Sequence, residues 1–212
     1  MRLNWANRIT ILRILLIVPF VSCMLKSNDP ELAFGTQNLM RYASTVIFLA
    51  MAISDGIDGF LARRNGEVTK LGAFLDPMAD KLLMTCACVL LALPKQGVPG
   101  FSLPPTVAVL IIGKDMFLLI GFVIIYFITF QVRVVPVSVG KVATTLQLSM
   151  VTAILIAPEV SRVLPGWIWF LRFLWWSAAG TAILSTLIYI RNGSGYVEEY
   201  EQTLGKSTSA KP

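Results

Sequence analysis

Asp55-Gly-Ile-Asp58-Gly59-Phe-Leu-Ala62-Arg63, eight residues, then Gly72-Ala-Phe-Leu-Asp76-Pro-Met-Ala-Asp80: this stretch decides the reading of the chain. Asp55 and Asp58 are three apart, and Asp76 and Asp80 four apart. On helices each pair shares one face. The connection around Arg64-Asn-Gly-Glu-Val-Thr-Lys70 is short, which makes the two helices antiparallel neighbours and turns the two faces together. Long apolar segments flank the stretch on both sides. A carboxylate alone at membrane depth is costly, so four gathered together point to a shared cation. Hard oxygen donors suit Mg²⁺ or Mn²⁺, and two such ions about 4 Å apart can stabilise both attacking and leaving oxygens in phosphoryl transfer. Gly59, Ala62 and Gly72 keep the walls low, so a ligand can approach the backbone.

The remainder of the chain supplies the membrane. Its 212 residues are 56% hydrophobic and only 14% charged, with a mean hydropathy of +0.72. These values lie far from those of an ordinary soluble domain. Apolar runs predict an all-α integral membrane protein of six transmembrane helices, at about 9–26, 40–62, 72–93, 104–129, 139–158 and 166–190. The first run lacks a small-x-small cleavage site and reads as a retained helix. One membrane domain over 1–192 and a polar tail over 193–212, expected to fray, account for the chain. Cys23, Cys86 and Cys88 lie in apolar segments and read as small buried hydrophobes. With no histidine present, proton transfer falls to a carboxylate or a lysine.

The net charge of +6 is unevenly placed. With the N-terminus cytoplasmic, eleven lysines and arginines fall on the inner side and five on the outer, with Lys81 and Lys114 inside spans. That bias predicts both termini inside and the aspartates near the cytoplasmic face. The bases flank membrane spans and form no continuous stripe, which argues against nucleic acid as a partner.

The residues Asp55, Asp58, Gly59, Ala62, Arg63, Gly72, Asp76 and Asp80 fill every fixed position of D-x2-D-G-x2-A-R-x8-G-x3-D-x3-D. This resembles the signature of the CDP-alcohol phosphatidyltransferases. Asn7-x-x-Thr10-x-x-Arg13 is similar to the family's entry into its first helix, and Gly140-Lys141-x-x-Thr144 to its basic motif in the fifth span. The resemblance implies six transmembrane helices around a cytosol-facing polar cavity, a homodimer, and Mg²⁺ or Mn²⁺. It implies transfer of a substituted phosphate from a CDP-alcohol to an acceptor hydroxyl, with release of CMP. By it, Asp55, Asp58 and Asp76 are metal ligands, and Asp80 is the general base, close to a metal. Gly59, Ala62, Arg63 and Gly72, with Asp58, line the CDP site.

The wording around the signature is most similar to the phosphatidylglycerophosphate and cardiolipin synthase branch, which implies CDP-diacylglycerol as donor. The acceptor is then glycerol 3-phosphate or, in the alternative, phosphatidylglycerol. A phosphate-bearing acceptor needs cations, and Lys114, Lys141, Arg133 and Arg64 are the candidates. Phosphatidylglycerophosphate synthases usually carry Arg-Glu where this chain has Lys114-Asp115, followed by no base from Phe117 to Phe130. The cardiolipin synthases tend to carry Arg-Asp. A cation transporter built on the same aspartates is a remote alternative, because the cluster occurs once, without an inverted repeat. Trp167, Trp169, Trp175 and Trp176 read as interfacial anchors at the outer start of the last span.

Overall fold

The computed structural model describes residues 5–65, 70–129 and 138–209, with side chains described over 9–56, 78–121, 123–124 and 139–191. Among these residues all regular structure is helical: α1 (Trp5–Lys26), α2 (Phe34–Asn65), α3 (Lys70–Ala92), α4 (Pro105–Thr129), α5 (Ser138–Leu155), α6 (Ala157–Val163) and α7 (Trp167–Ser209). Each apolar run predicted from the sequence lies on a helix. By length and composition two of the described helices can cross a membrane, Ile9–Lys26 and Trp167–Arg191, and a third if α5 and α6 count as one bent span.

Two differences from the sequence reading have physical causes. The predicted fifth span over 139–158 breaks at Ile156, and α6 leaves α5 at 72°. Pro158 lacks the N–H that would continue the α5 ladder onto the Ile154 carbonyl, and its ring crowds that carbonyl. The tail expected to fray is helical through Ser209. It contains no proline before Pro212, so nothing in its backbone interrupts the ladder.

α1 packs on both α2 and α3, while any direct contact between described residues of α2 and α3 is slight. α4 lies against α3 and α7, and α5 lies against α7 and touches α2 and α3. Phe20 and Phe48 meet at 5.8 Å between ring centroids. With Met24, Met51, Leu83, Met84, Ile111, Met150, Ile154 and Leu171 they form one continuous buried core. Val18, Val46, Val109 and Phe173 point outward and are exposed on the bundle surface, as a lipid-facing surface requires.

The connections after α1, α3 and α5 gather at one end. Asn28 Nδ2 donates to the Gln96 carbonyl at 3.0 Å, joining the first to the second. Arg41, at the start of α2, grips both oxygens of Glu159 on α6, one of them at 3.1 Å. The Tyr42 hydroxyl donates to Glu159 Oε1 at 3.0 Å. The 93–104 turn depends on glycine twice. A Cβ at Gly97 would stand 2.8 Å from the Leu91 carbonyl oxygen, and Gly100 has φ of +81°. The start of α2 therefore lies at this end of the bundle and its Asn65 terminus at the other.

Candidate active site

Asp55 lies deep in α2, half-buried, and its Oδ1 accepts a hydrogen bond from the Arg13 guanidinium of α1. Arg13 is buried, with 2% of its side chain exposed. A guanidinium beside a carboxylate at that depth satisfies both charges and fixes α1 against α2. From the sequence Arg13 was legible only as part of the Asn7–Arg13 motif; its pairing with Asp55 across 42 residues was not.

Asp80 lies halfway along α3, and its side chain is 20% exposed. Lys81 Nζ stands 3.5 Å from Asp80 Oδ2 and 3.0 Å from Asp115 Oδ1 on α4. Lys114 Nζ approaches the same Asp115 oxygen at 2.9 Å. It also donates to Gln147 Oε1 on α5 at 3.4 Å. Side chains of three helices therefore meet in one buried polar network. Asp115 Oδ2 and Gln147 Nε2 are buried without a hydrogen-bond partner among the described residues. A polar network with unmet bonds at membrane depth is costly, which marks it as a functional feature before a stabilising one.

The expected site residues divide accordingly. Asp55, Asp80 and Lys114 have described side chains, and Lys114 is turned into the network, almost wholly buried. Lys141 is exposed on the first turn of α5. The motif around it is ordered: Thr144 Oγ1 donates to the Gly140 carbonyl at 3.1 Å. The side chains of Asp58, Gly59, Ala62, Arg63, Arg64, Gly72 and Asp76 lie outside the described residues, as does Arg133 altogether. Among the described residues no three acidic, cysteine or histidine side chains converge. The donor set nevertheless fits a hard divalent cation. Of the four aspartates, Asp55 and Asp80 have described side chains, and each is partly exposed with carboxylate oxygen to offer. Sequence reasoning missed Lys81 and Gln147. The signal was present, since each is a polar side chain within an apolar helix.

Two surface grooves lie elsewhere. One, of about 630 Å³, is lined by Trp169, Arg172, Phe173, Trp176 and Ser177 of α7. The Arg172 guanidinium lies over the Trp169 ring at 4.8 Å. The other, of about 410 Å³, runs between α2, α5 and α7, with Leu49, Ile53, Leu148 and Phe170 in its walls. Neither includes an aspartate. Of the tryptophans expected as anchors, Trp169 and Trp176 are exposed. Trp175 is buried, and Trp167 is half-buried with its indole N–H on the Ala153 carbonyl at 3.2 Å.

Comparison with known proteins agrees with the motif. A protein of Bacillus subtilis named CDP-diacylglycerol–glycerol-3-phosphate 3-phosphatidyltransferase is 33% identical over 156 residues, 72% of this chain and 77% of its own length. An Arabidopsis thaliana protein of that name, numbered 2, is 34% identical over 161 residues, 71% of this chain and 66% of its own length. One from Pseudomonas fluorescens is 39% identical over 114 residues, 54% of this chain and 52% of its own length. The chain thus spans 52% to 77% of the length of these relatives. Residues 3–184 match the family described as CDP-alcohol phosphatidyltransferase, and the chain, an all-helical protein with helices able to cross a membrane, belongs to that family of transferases.

Proposed function

We propose that this protein transfers the phosphatidyl group of CDP-diacylglycerol to glycerol 3-phosphate, giving phosphatidylglycerophosphate and CMP. The observation that carries the acceptor is similarity to relatives bearing that name, at 33–39% identity. The complete aspartate signature from Asp55 to Asp80 supports the chemistry.

In this reading Asp55, Asp58 and Asp76 hold Mg²⁺ or Mn²⁺, two ions in all, with Asp80 close by. When bound, the cations supply charge neutralisation of the pyrophosphate and ease departure of CMP. Arg63 clamps the pyrophosphate, and Gly59, Ala62 and Gly72 leave room for the cytidine nucleotide. Asp80 accepts the proton of the acceptor hydroxyl as its oxygen attacks the phosphorus bearing diacylglycerol. The bond from that phosphorus to the CMP oxygen breaks, and its electron pair leaves with CMP. Arg13 holds one oxygen of Asp55 and so fixes which oxygen faces the ligand. Lys114, Lys141, Arg133 and Arg64 are the cations offered to the acceptor phosphate. Six spans, both termini and the site on the cytoplasmic side, and a homodimer complete the proposal. The lysine and arginine bias supports the orientation.

A second reading, cardiolipin synthase with phosphatidylglycerol as acceptor, draws on Lys114-Asp115 standing where the first class usually has Arg-Glu. An acceptor screen decides. Purified protein with CDP-diacylglycerol and Mg²⁺ or Mn²⁺ is offered glycerol 3-phosphate, phosphatidylglycerol, serine or inositol phosphate, and both CMP and the lipid product are read. Product with glycerol 3-phosphate is expected. Product with phosphatidylglycerol alone would establish the second reading. CMP release with no acceptor among the four would overturn both.

A further inference from the structure

The reaction described above uses Asp80 but leaves Lys81 and Asp115 without a role. Their geometry is specific. Neighbouring residues on a helix point about 100° apart and do not face each other. An ammonium on Lys81 is steadied beside the Asp80 carboxylate by something outside α3. That something is Asp115 of α4, 3.0 Å from Lys81 Nζ. Asp115 is in turn fixed by Lys114 at 2.9 Å, and Lys114 by Gln147 of α5 at 3.4 Å. Side-chain exposure falls along this line, from 20% at Asp80 and 18% at Lys81 to 2% at both Asp115 and Lys114. The open end is the carboxylate that would meet substrate, and the sealed end is an anchor.

We propose that Lys81 is a positioning residue for Asp80, and that Asp115 holds Lys81 in place. The proposal rests on the reading of Asp80 as the base in phosphatidyl transfer. In the resting site Lys81 keeps the Asp80 carboxylate in one rotamer, so that its oxygen stands where the acceptor hydroxyl arrives. A small displacement of a general base lowers kcat by roughly 10²-fold without requiring any change in donor affinity.

Charge balance selects the variants. Lys81→Met leaves the Lys114–Asp115 pair intact and neutral, so the buried part of the network stays compensated. Lys81→Arg retains a cation able to reach both carboxylates. The double variant Lys114→Met with Asp115→Asn keeps Lys81 beside Asp80 but removes its tether, again without net charge. Each is purified in detergent with the wild type, and CMP release is measured against both substrates together with equilibrium binding of CDP-diacylglycerol. We expect Lys81→Met to lower kcat about 10²-fold while KM and Kd for CDP-diacylglycerol stay within about threefold. Lys81→Arg should recover most of that loss, and the double variant should lower kcat in the same direction at saturating acceptor. Lys81→Gln serves if Lys81→Met does not purify as a single species. Activity of Lys81→Met within about twofold of wild type overturns the proposal. So does a parallel loss of donor binding, or failure of Lys81→Arg to recover kcat, since either marks a merely structural lysine. Absence of CMP release from the wild type with every acceptor overturns the transferase reading itself, and the proposal with it.

Discussion

Asp80 and Lys114 illustrate what one residue contributes at membrane depth. Asp80→Asn removes the proton acceptor but keeps size and polarity. It should lower kcat by about 10²–10⁴-fold while CDP-diacylglycerol binding survives, measured by CMP release beside equilibrium binding. Full activity in that variant would remove Asp80 as the base. Lys114→Ala has two expected effects. It leaves Asp115 with Lys81 as its only described cation, and breaking a buried ion set by removing one member costs about 3–5 kcal/mol. Its KM for glycerol 3-phosphate should rise as well, and an unchanged KM would count against a role in holding the acceptor phosphate. At this scale the aspartates were legible because type and spacing alone identify them. The Lys81–Asp115–Lys114–Gln147 network was not. Which faces of α3, α4 and α5 meet depends on the rotation of three helices about their axes. α4 is apolar over most of its length, and Lys114 and Asp115 mark its inward side without showing which side chains of α3 and α5 they meet.

Among the elements, α2 and α6 are joined by the clamp of Arg41 on Glu159, with Tyr42 as a second donor. Arg41 is 9% exposed and Glu159 35% exposed in their side chains, so water screens the pair from one side only. A double-mutant cycle with Arg41→Ala and Glu159→Ala should give a coupling energy of about 1–2 kcal/mol from unfolding in detergent. No measurable coupling would reduce the clamp to a surface contact. α5 meets α7 closely at Gly140, where a Cβ would lie 3.1 Å from the Tyr189 hydroxyl. Gly140→Leu should cost about 1–3 kcal/mol by overpacking, and Tyr189→Ala in the same chain should recover part of it. Helix existence was readable from apolar run length, since each run lies on a helix. The bend at Ile156 was not. Pro158 sat at the edge of the predicted span, where a proline looks like a terminus and not like an interruption.

For the whole molecule, the joined connections at 27–33, 93–104 and 156–166 define one end of the bundle. With Cys23, Cys86 and Cys88 replaced, Lys95→Cys and Val163→Cys should react together with a membrane-impermeant maleimide from outside right-side-out vesicles. Thr208→Cys should react only after permeabilisation. The reverse pattern would invert the orientation drawn from the lysine and arginine bias. The sequence carried the membrane assignment fully, because composition alone fixes it. It carried the arrangement of helices only in part: no spacing in the sequence announces that α1 packs on both α2 and α3.

The buried pairing of Lys81 with Asp115 has a mechanical consequence. If α3 slid by one turn against α4, Lys81 and Asp115 would part where little water is present to solvate them. α3 and α4 should therefore move together during turnover. Whatever breathing admits a two-chained lipid and lets the product diffuse away then belongs to elements outside that pair.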